Sequence, residues 1–330
     1  PGGYWLCPDA MARRAASSSA GGPSESGKPW PRFSEPVATA SADISAKIVS
    51  PRPSIRCAGL AVGRRRRSAT PTHAIGRPAS VAYSPSVPTA LVTGASAGLG
   101  RAFATRLAAT GYDVVLVARD EARLGELAAD LEHRFGCTSD VLPADLTDRH
   151  QLDRVAARLV DADGPVELLI NNAGNALRKP FLANSVADEE RMLDLHVRAT
   201  LVLTHAALGP MTDRGSGGVI NVSSLAGWIP QGTYSAHKAW VTTFSQAVAR
   251  QVAPSGVRVM ALAPGFVRTE FHQRAEIKAD AIPGPAWLDA DEVAAQTLRA
   301  WQRGRAVHVP STRYKTVAAL LRNAPYETIY

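Results

Sequence analysis

The 330-residue chain carries 37 basic and 29 acidic side chains, a net charge of +8, but the excess sits entirely at one end. Residues 1–88 hold 12 basic residues against four acids (Asp9, Glu25, Glu35 and Asp43), which leaves residues 89–330 neutral with 25 of each sign. That neutrality removes the electrostatic case for nucleic-acid binding by the larger part, and no apolar run reaches the ~18 residues a membrane span needs.

Residues 1–88 also contain 12 of the 23 prolines and runs such as Ser17-Ser18-Ser19, with no sustained helical or alternating apolar period. Such a segment buries too little apolar surface to offset its ordering entropy, so it is expected to be disordered. An Arg- and Ser-rich, acid-poor extension is also how an organellar transit peptide reads. Because the chain begins at Pro1 and Met11 is internal, a start-site artefact is the other reading. The Arg64–Arg67 run is taken as a solvated charge run rather than a localisation patch. Of the three cysteines only Cys137 falls after residue 88, so no disulfide is expected there. That fits a reducing, cytoplasmic setting.

From Thr89 onward, short β-branched runs alternate with longer helical ones. Strands are expected at Thr89–Thr93, Asp113–Ala118, Asp140–Leu142, Glu167–Asn171, Gly218–Ser223, Val257–Leu262 and Ala306–Val309. Helices are expected over Leu99–Thr110, Asp120–Phe135 (Leu124, Leu127 and Leu131 on one face), Asp188–Leu208 and Tyr234–Ala253, the last stopped by Pro254. Fully apolar strands flanked by helices are what a parallel sheet covered on both faces requires. The α/β alternation predicts one domain over 89–330, a doubly wound parallel sheet of Rossmann type, with ligand at the carboxyl ends of the strands.

The first strand runs into Thr93-Gly94-Ala95-Ser96-Ala97-Gly98-Leu99-Gly100 and then a helix. Gly94 permits a tight turn, Gly98 lets the backbone approach a pyrophosphate, and Gly100 allows close helix–strand packing. The phosphates would meet free N–H groups at the positive end of the helix dipole. The spacing is GxxxGxG. An acid ending the second strand would bond the adenosine ribose and repel a 2′-phosphate. Here Ala118 is followed by Arg119, whose guanidinium suits a phosphate, so NADP(H) is expected over NAD(H). The bland alternative is a surface arginine beside Asp120 as helix cap. Asp145-Leu146 is a candidate adenine contact, or else a loop aspartate. Asn171-Asn172-Ala173-Gly174 ends a strand at the same edge and suits a turn against a ribose.

Ser223 and Ser224 end the fifth strand, and Tyr234-Ser235-Ala236-His237-Lys238 follows. Tyrosine and lysine four apart share a helix face. A phenol with a pKa of about 10 is a poor base at neutral pH, and a nearby lysine cation, helped by the positive oxidised nicotinamide, brings it toward working range.

With these residues assembled, the chain resembles the short-chain dehydrogenase/reductase family in its single-domain branch. The resemblance rests on TGASAGLG (93–100), NNAG (171–174), the serine of NVSS, YSAHK (234–238) and PGFVRT (264–269), in that order. It implies that Ser224 polarises a substrate carbonyl and Tyr234 protonates it as hydride arrives from the nicotinamide. Lys238 would bond the nicotinamide ribose and lower the tyrosine pKa. Gly94, Ser96, Ala97, Gly98, Leu99, Gly100, Arg119, Asp145, Leu146, Asn172, Ala173, Gly174, Pro264, Gly265, Val267 and Thr269 would contact the cofactor. It further implies no metal, and a homodimer or homotetramer. One position departs from the pattern: in Leu195-His196-Val197-Arg198-Ala199, His196 stands where the family carries an asparagine that supports a water relay to the lysine. Either the imidazole substitutes in that relay, or it only packs.

The substrate side is expected from the segments after NNAG (Asn175 to Phe181), after Ser224, and after the PG turn (Phe266 to Ile277). These offer Leu177, Phe181, Trp228, Ile229, Phe266 and Phe271 for an apolar carbonyl or alcohol substrate. Arg178, Lys179, His272 and Arg274 are read as solvated charges. Two other functions compete. One is an NADP-binding sensor or scaffold without turnover; the other is an epimerase or dehydratase, which usually brings a separate substrate domain that this sequence lacks. The Ser311–Tyr330 segment, with Leu320-Leu321 on a candidate helix, either covers the pocket or meets another subunit.

Overall fold

The computed structural model describes residues 87–177, 179–271 and 282–323. The expectation of disorder for the N-terminal extension therefore concerns residues that, up to 86, lie outside this description. So do the readings placed on Arg178, His272, Arg274, Ile277 and the last seven residues.

Seven strands form one parallel sheet: β1 (Thr89–Thr93), β2 (Asp113–Ala118), β3 (Ser139–Pro143), β4 (Val166–Asn171), β5 (Gly218–Val222), β6 (Arg258–Leu262) and β7 (Val307–His308). Their spatial order is β3-β2-β1-β4-β5-β6-β7, so the direction of winding reverses between β1 and β4. In an open α/β sheet that reversal opens a crevice at the strands' carboxyl ends. Alternate strand residues supply two separate cores. Ala90, Val92, Leu116, Ile170 and Met260 pack with Phe103 and Leu131 on one face. Leu91, Val115, Val117, Leu169 and Val259 pack with Leu152, Leu203 and Met211 on the other. This is why the strands read as unbroken apolar runs: both faces are covered by helices.

Among the described residues the α-helices are α1 (Gly98–Ala109), α2 (Glu121–Phe135), α3 (Arg149–Val160), α4 (Val186–Leu193), α5 (Ala199–Arg214), α6 (Gly232–Val252), α7 (Ala290–Gln302) and α8 (Thr312–Asn323). Side-chain caps start four of them: Asp120, Asp148, Ser185 and Asp289 each accept an N–H of the first turn, a contact worth about 1 kcal/mol. Gly136 and Gly215 close α2 and α5 in the left-handed conformation.

The sequence reading differs from this fold in three places. It assigns no element to α3 or α7, although Leu152, Val155 and Leu159, and Val293, Ala294, Thr297 and Trp301, lie at helical spacing and are buried. The helix expected over Asp188–Leu208 is two α-helices joined by a π turn at Asp194–Arg198, and it continues through Pro210 to Arg214. The widened turn inserts a residue into the helical ladder, which re-aims His196 toward the strand ends. Strand limits otherwise shift by a residue or two.

Candidate active site

The glycine loop between β1 and α1 is built by close approach. A Cβ on Gly100 would overlap the carbonyl oxygen of Gly94, and one on Gly94 would come within 2.8 Å of Asn172 Nδ2. Gly94 and Gly98 hold φ of 67° and 54°, the region that favours glycine. A Cβ on Gly98 would meet Thr269 Cβ at 2.9 Å, so Thr269 packs directly on the loop. The loop is tied to β4 by Thr93, whose hydroxyl accepts the N–H groups of Asn172 (2.9 Å) and Ala173 (3.0 Å) and donates to the Ile170 carbonyl (3.3 Å). Asn172 Nδ2 returns a bond to the Thr93 carbonyl at 2.9 Å. Helix α1 begins at Ala97 with no side-chain cap and no acid in its first turn. Its first N–H groups therefore remain available to an anion.

A cavity of about 420 Å³ opens beside this loop. Among the expected cofactor residues, Gly94, Ser96, Arg119, Asp145, Leu146, Ala173 and Gly174 line it. Ala97, Gly98, Leu99, Gly100 and Asn172 are not in its lining; Gly100 and Asn172 pack against Gly94, Gly98 against Thr269, and Leu99 against the core. Pro264, Gly265 and Val267 belong to a separate turn after β6. There the Pro264 carbonyl accepts Leu225 N–H at 3.0 Å and Val267 is buried. Asp145 accepts the N–H and hydroxyl of Thr147 at 2.9 and 2.8 Å, the geometry of a loop aspartate that also faces the cavity. Burial pushes its carboxyl up, but the two Thr147 bonds and the guanidiniums of Arg119 and Arg191 outweigh this and hold it low. Arg191, on α4, was not anticipated; its side chain lines the cavity together with Arg119.

At the end of β5, Ser224 caps a short 3-10 turn (Leu225–Trp228), its Oγ accepting Ala226 N–H at 3.1 Å. Ser223 turns inward, donating to the Lys238 carbonyl at 2.6 Å and pairing with Thr242 Oγ1 at 2.7 Å, which fastens β5 to α6. Lys238 is buried and donates from Nζ to the Val222 carbonyl at 2.9 Å. Its Nζ stands 5.7 Å from the centre of the Tyr234 ring. Burial lowers the Lys238 ammonium to about 8. Burial pushes the Tyr234 phenol up to about 12, while a hydrogen bond from the Ser224 side chain pulls the other way. Serine, tyrosine and lysine thus stand together, as the sequence reading expects. Among the protein's own groups, however, burial of the phenol outweighs any assistance from the lysine.

His196 is 1 % exposed and edge-on to both Tyr234 and His237, at 5.5 and 5.8 Å between ring centres. Its Nε2 accepts the Asn175 N–H at 3.0 Å, so the proton of the neutral ring resides on Nδ1. Burial, then the charges of Lys238 and His237, hold it well below the ordinary histidine value. Gly174 makes room for it: a Cβ there would sit 3.1 Å from His196 Nε2 and 3.7 Å from Lys238 Nζ.

Beneath this layer a polar ladder crosses the sheet. Asn171 Nδ2 donates to Thr204 Oγ1 (3.1 Å) and Asn221 Oδ1 (2.9 Å), and Asn221 Nδ2 donates to Ser245 Oγ (3.0 Å). It ties β4, β5, α5 and α6 together directly under the site. Thr93, Asn221, Ser223 and Ser245 were not singled out from sequence as supports. The available signal was a polar residue inside or ending an otherwise apolar strand, which is costly unless paired.

Residues 88–280 match the family described as short chain dehydrogenase. The chain belongs to that family. A short-chain dehydrogenase from Sphingobium yanoikuyae, solved in complex with NADPH, is 34% identical with a TM-score of 0.66, over 71% of this chain and 93% of that one. The bulky-bulky ketone specific alcohol dehydrogenase from Comamonas testosteroni is 30% identical with a TM-score of 0.62, over 72% and 95% of the two chains. Sulfoacetaldehyde reductase 2 from Chromohalobacter salexigens is 38% identical over 186 residues, 55% of this chain and 73% of the relative. This short-chain dehydrogenase is therefore an oxidoreductase with a nucleotide-binding Rossmann fold. Among the described residues no helix is long and apolar enough to cross a membrane.

Proposed function

We propose that the protein is an NADP(H)-dependent reductase of apolar carbonyl compounds, run in reverse as an alcohol dehydrogenase. The observation that carries the reading is the grouping of Ser224, Tyr234 and Lys238 at the strand edge that also holds the glycine loop. The loop fits a dinucleotide because its glycines leave a cradle that side chains would fill and α1 offers uncapped N–H groups. When bound, the reduced nicotinamide supplies the hydride. Ser224 and Tyr234 would donate hydrogen bonds to the carbonyl oxygen and so favour its becoming an alkoxide. Tyr234 then gives up its proton to that oxygen. The phenol suits this task, since even near 12 it is a far stronger acid than a secondary alcohol. The Lys238 ammonium stabilises the phenolate left behind, which regains its proton from water.

NADP(H) is favoured because Arg119 follows β2 and lines the cavity with Arg191, giving two guanidiniums for a 2′-phosphate. The Sphingobium relative is solved with NADPH, which supports the same choice. An apolar substrate is supported by Phe271, whose ring lies 6.3 Å from that of Tyr234, and by the Phe266–Trp287 pair at 6.0 Å. We also assign His196 an anchoring role, because its acceptor nitrogen is already engaged by Asn175.

The test is a panel of aryl alkyl, diaryl and long-chain ketones with NADPH, followed at the nicotinamide absorbance. Turnover that falls by at least ~100-fold in Tyr234→Phe is expected. Tight NADPH binding with no turnover on any ketone would instead favour a sensor or scaffold.

A further inference from the structure

Helix α8 follows β7 through Ser311, whose φ of 72° makes it the one non-glycine residue in the left-handed region among the described residues. Such a conformation persists where the surroundings dictate it. Here it turns the chain back over the active-site edge, with Ser311 N–H bonded to Gln296 Oε1 at 3.3 Å.

We propose that α8 is a working part of the active site and that Tyr314 is a positioning residue for its substrate side. The Tyr314 ring lies flat on Gly265, so closely that a Cβ on Gly265 would fall within the ring. Its hydroxyl accepts the Phe266 N–H at 3.3 Å and donates to the Ala286 carbonyl at 2.7 Å. Those two groups stand on opposite arms of one stem. Leu288 N–H bonds the Phe266 carbonyl and Arg268 N–H bonds the Leu288 carbonyl, both at 2.8 Å. A single phenol hydroxyl thereby closes the end of the stem that carries Phe266 and Trp287. Phe271, which approaches Tyr234, lies a few residues further along the same arm.

The far end of α8 meets the other loop of the site. The Arg322 guanidinium lies 5.8 Å from the centre of the Trp228 ring, on the turn that begins at Ser224. That turn is in turn joined to the Pro264 carbonyl through Leu225 N–H. One helix thus braces both segments that flank Ser224 and Tyr234. Of the two places the sequence left open for this segment, these contacts favour the one at the site.

The assignment rests on the carbonyl-reductase reading, and its test separates the two. Tyr314→Phe keeps the ring on Gly265 and removes only the hydroxyl. With NADPH and the aryl alkyl ketone that the unmodified enzyme reduces fastest, KM for the ketone should rise about tenfold. The NADPH Kd and kcat should stay within about threefold, as expected when a binding surface rather than the chemistry is disturbed. Hydrogen–deuterium exchange should quicken in peptides covering residues 262–271 and 282–290 and remain unchanged in α1. Unchanged exchange there would overturn the brace. Faster exchange with an unaltered KM would overturn the positioning role and leave only a structural contact. If the unmodified enzyme reduces no ketone, the function proposal fails, while the exchange measurement still decides whether Tyr314 holds the stem.

Discussion

Thr93 is the hinge pin between the glycine loop and β4, and replacing it by valine is the sharpest test of how the site is held. Valine has nearly the same shape, so the change removes a hydroxyl and little else. Thr93 is 1 % exposed, and its oxygen accepts two backbone N–H groups while its proton goes to the Ile170 carbonyl. Each ordinary hydrogen bond contributes about 1 kcal/mol net, and a buried donor left unpaired costs about 1–3 kcal/mol. Both N–H groups are only partly buried, so the lower half of that range applies to each. The sum is about 2–4 kcal/mol. For a domain of this size, 1 kcal/mol moves Tm by roughly 2–4 °C, so thermal unfolding should fall by roughly 4–16 °C. NADPH binding should weaken as well, because Asn172 and Ala173 no longer lock against Gly94. Thr93→Ser retains the hydroxyl and should recover most of both losses. A valine variant within 0.5 °C or so of the unmodified protein would refute the reasoning, since it would mean the two N–H groups find other partners.

Arg119→Ala should weaken NADPH binding by about 10-fold, the low end for a charge-assisted bond because Arg119 is exposed, and leave NADH binding unchanged. Equal Kd values for both nucleotides in the unmodified protein would defeat the cofactor assignment. With Lys238 held near 8 by burial, kcat/KM for reduction should decline about tenfold per pH unit above about pH 8, as the ammonium is lost. The folded value lies below the unfolded 10.5, so the unfolded chain holds the extra proton between those limits. The stability deficit is full below pH 8 and is relieved as pH rises through 10.5. His196→Asn should lower Tm yet leave that alkaline limb in place, because the histidine's acceptor nitrogen is spent on Asn175; a displaced limb would restore a relay role.

The sheet was legible because its strands are buried on both faces and so carry an unmistakable apolar signature, bounded by glycine and asparagine. The grouping of Ser224, Tyr234 and Lys238 was legible because serine, tyrosine and lysine occupy fixed points relative to those boundaries. Helices α3 and α7 have regular apolar spacing but carry no glycine loop, strand-end amide or chemical motif to mark their limits. Thr93, Ser223 and Asn221 could not be read as supports, because a hydroxyl or amide at a strand end looks the same whether it faces ligand or neighbour. Arg191 and Tyr314 were beyond reach for another reason. Each meets its neighbours across a sequence separation that only the packed fold closes: Arg191 in one cavity with Arg119, Tyr314 on Gly265.

Burial also adds to one expectation, that of how the Tyr–Lys pair is poised. From sequence, the Tyr–Lys pair reads as a cation making a phenolate available. In the fold, burial raises the half-buried Tyr234 phenol and lowers the fully buried Lys238 ammonium together. On the proposed function, a phenol raised in this way beside Ser224 is suited to giving its proton to an oxygen gaining charge. In the reverse direction the positive charge of the oxidised nicotinamide would add to that of Lys238 in favouring the phenolate. The packing that makes Lys238 costly to bury is thus the same packing that keeps the proton on Tyr234.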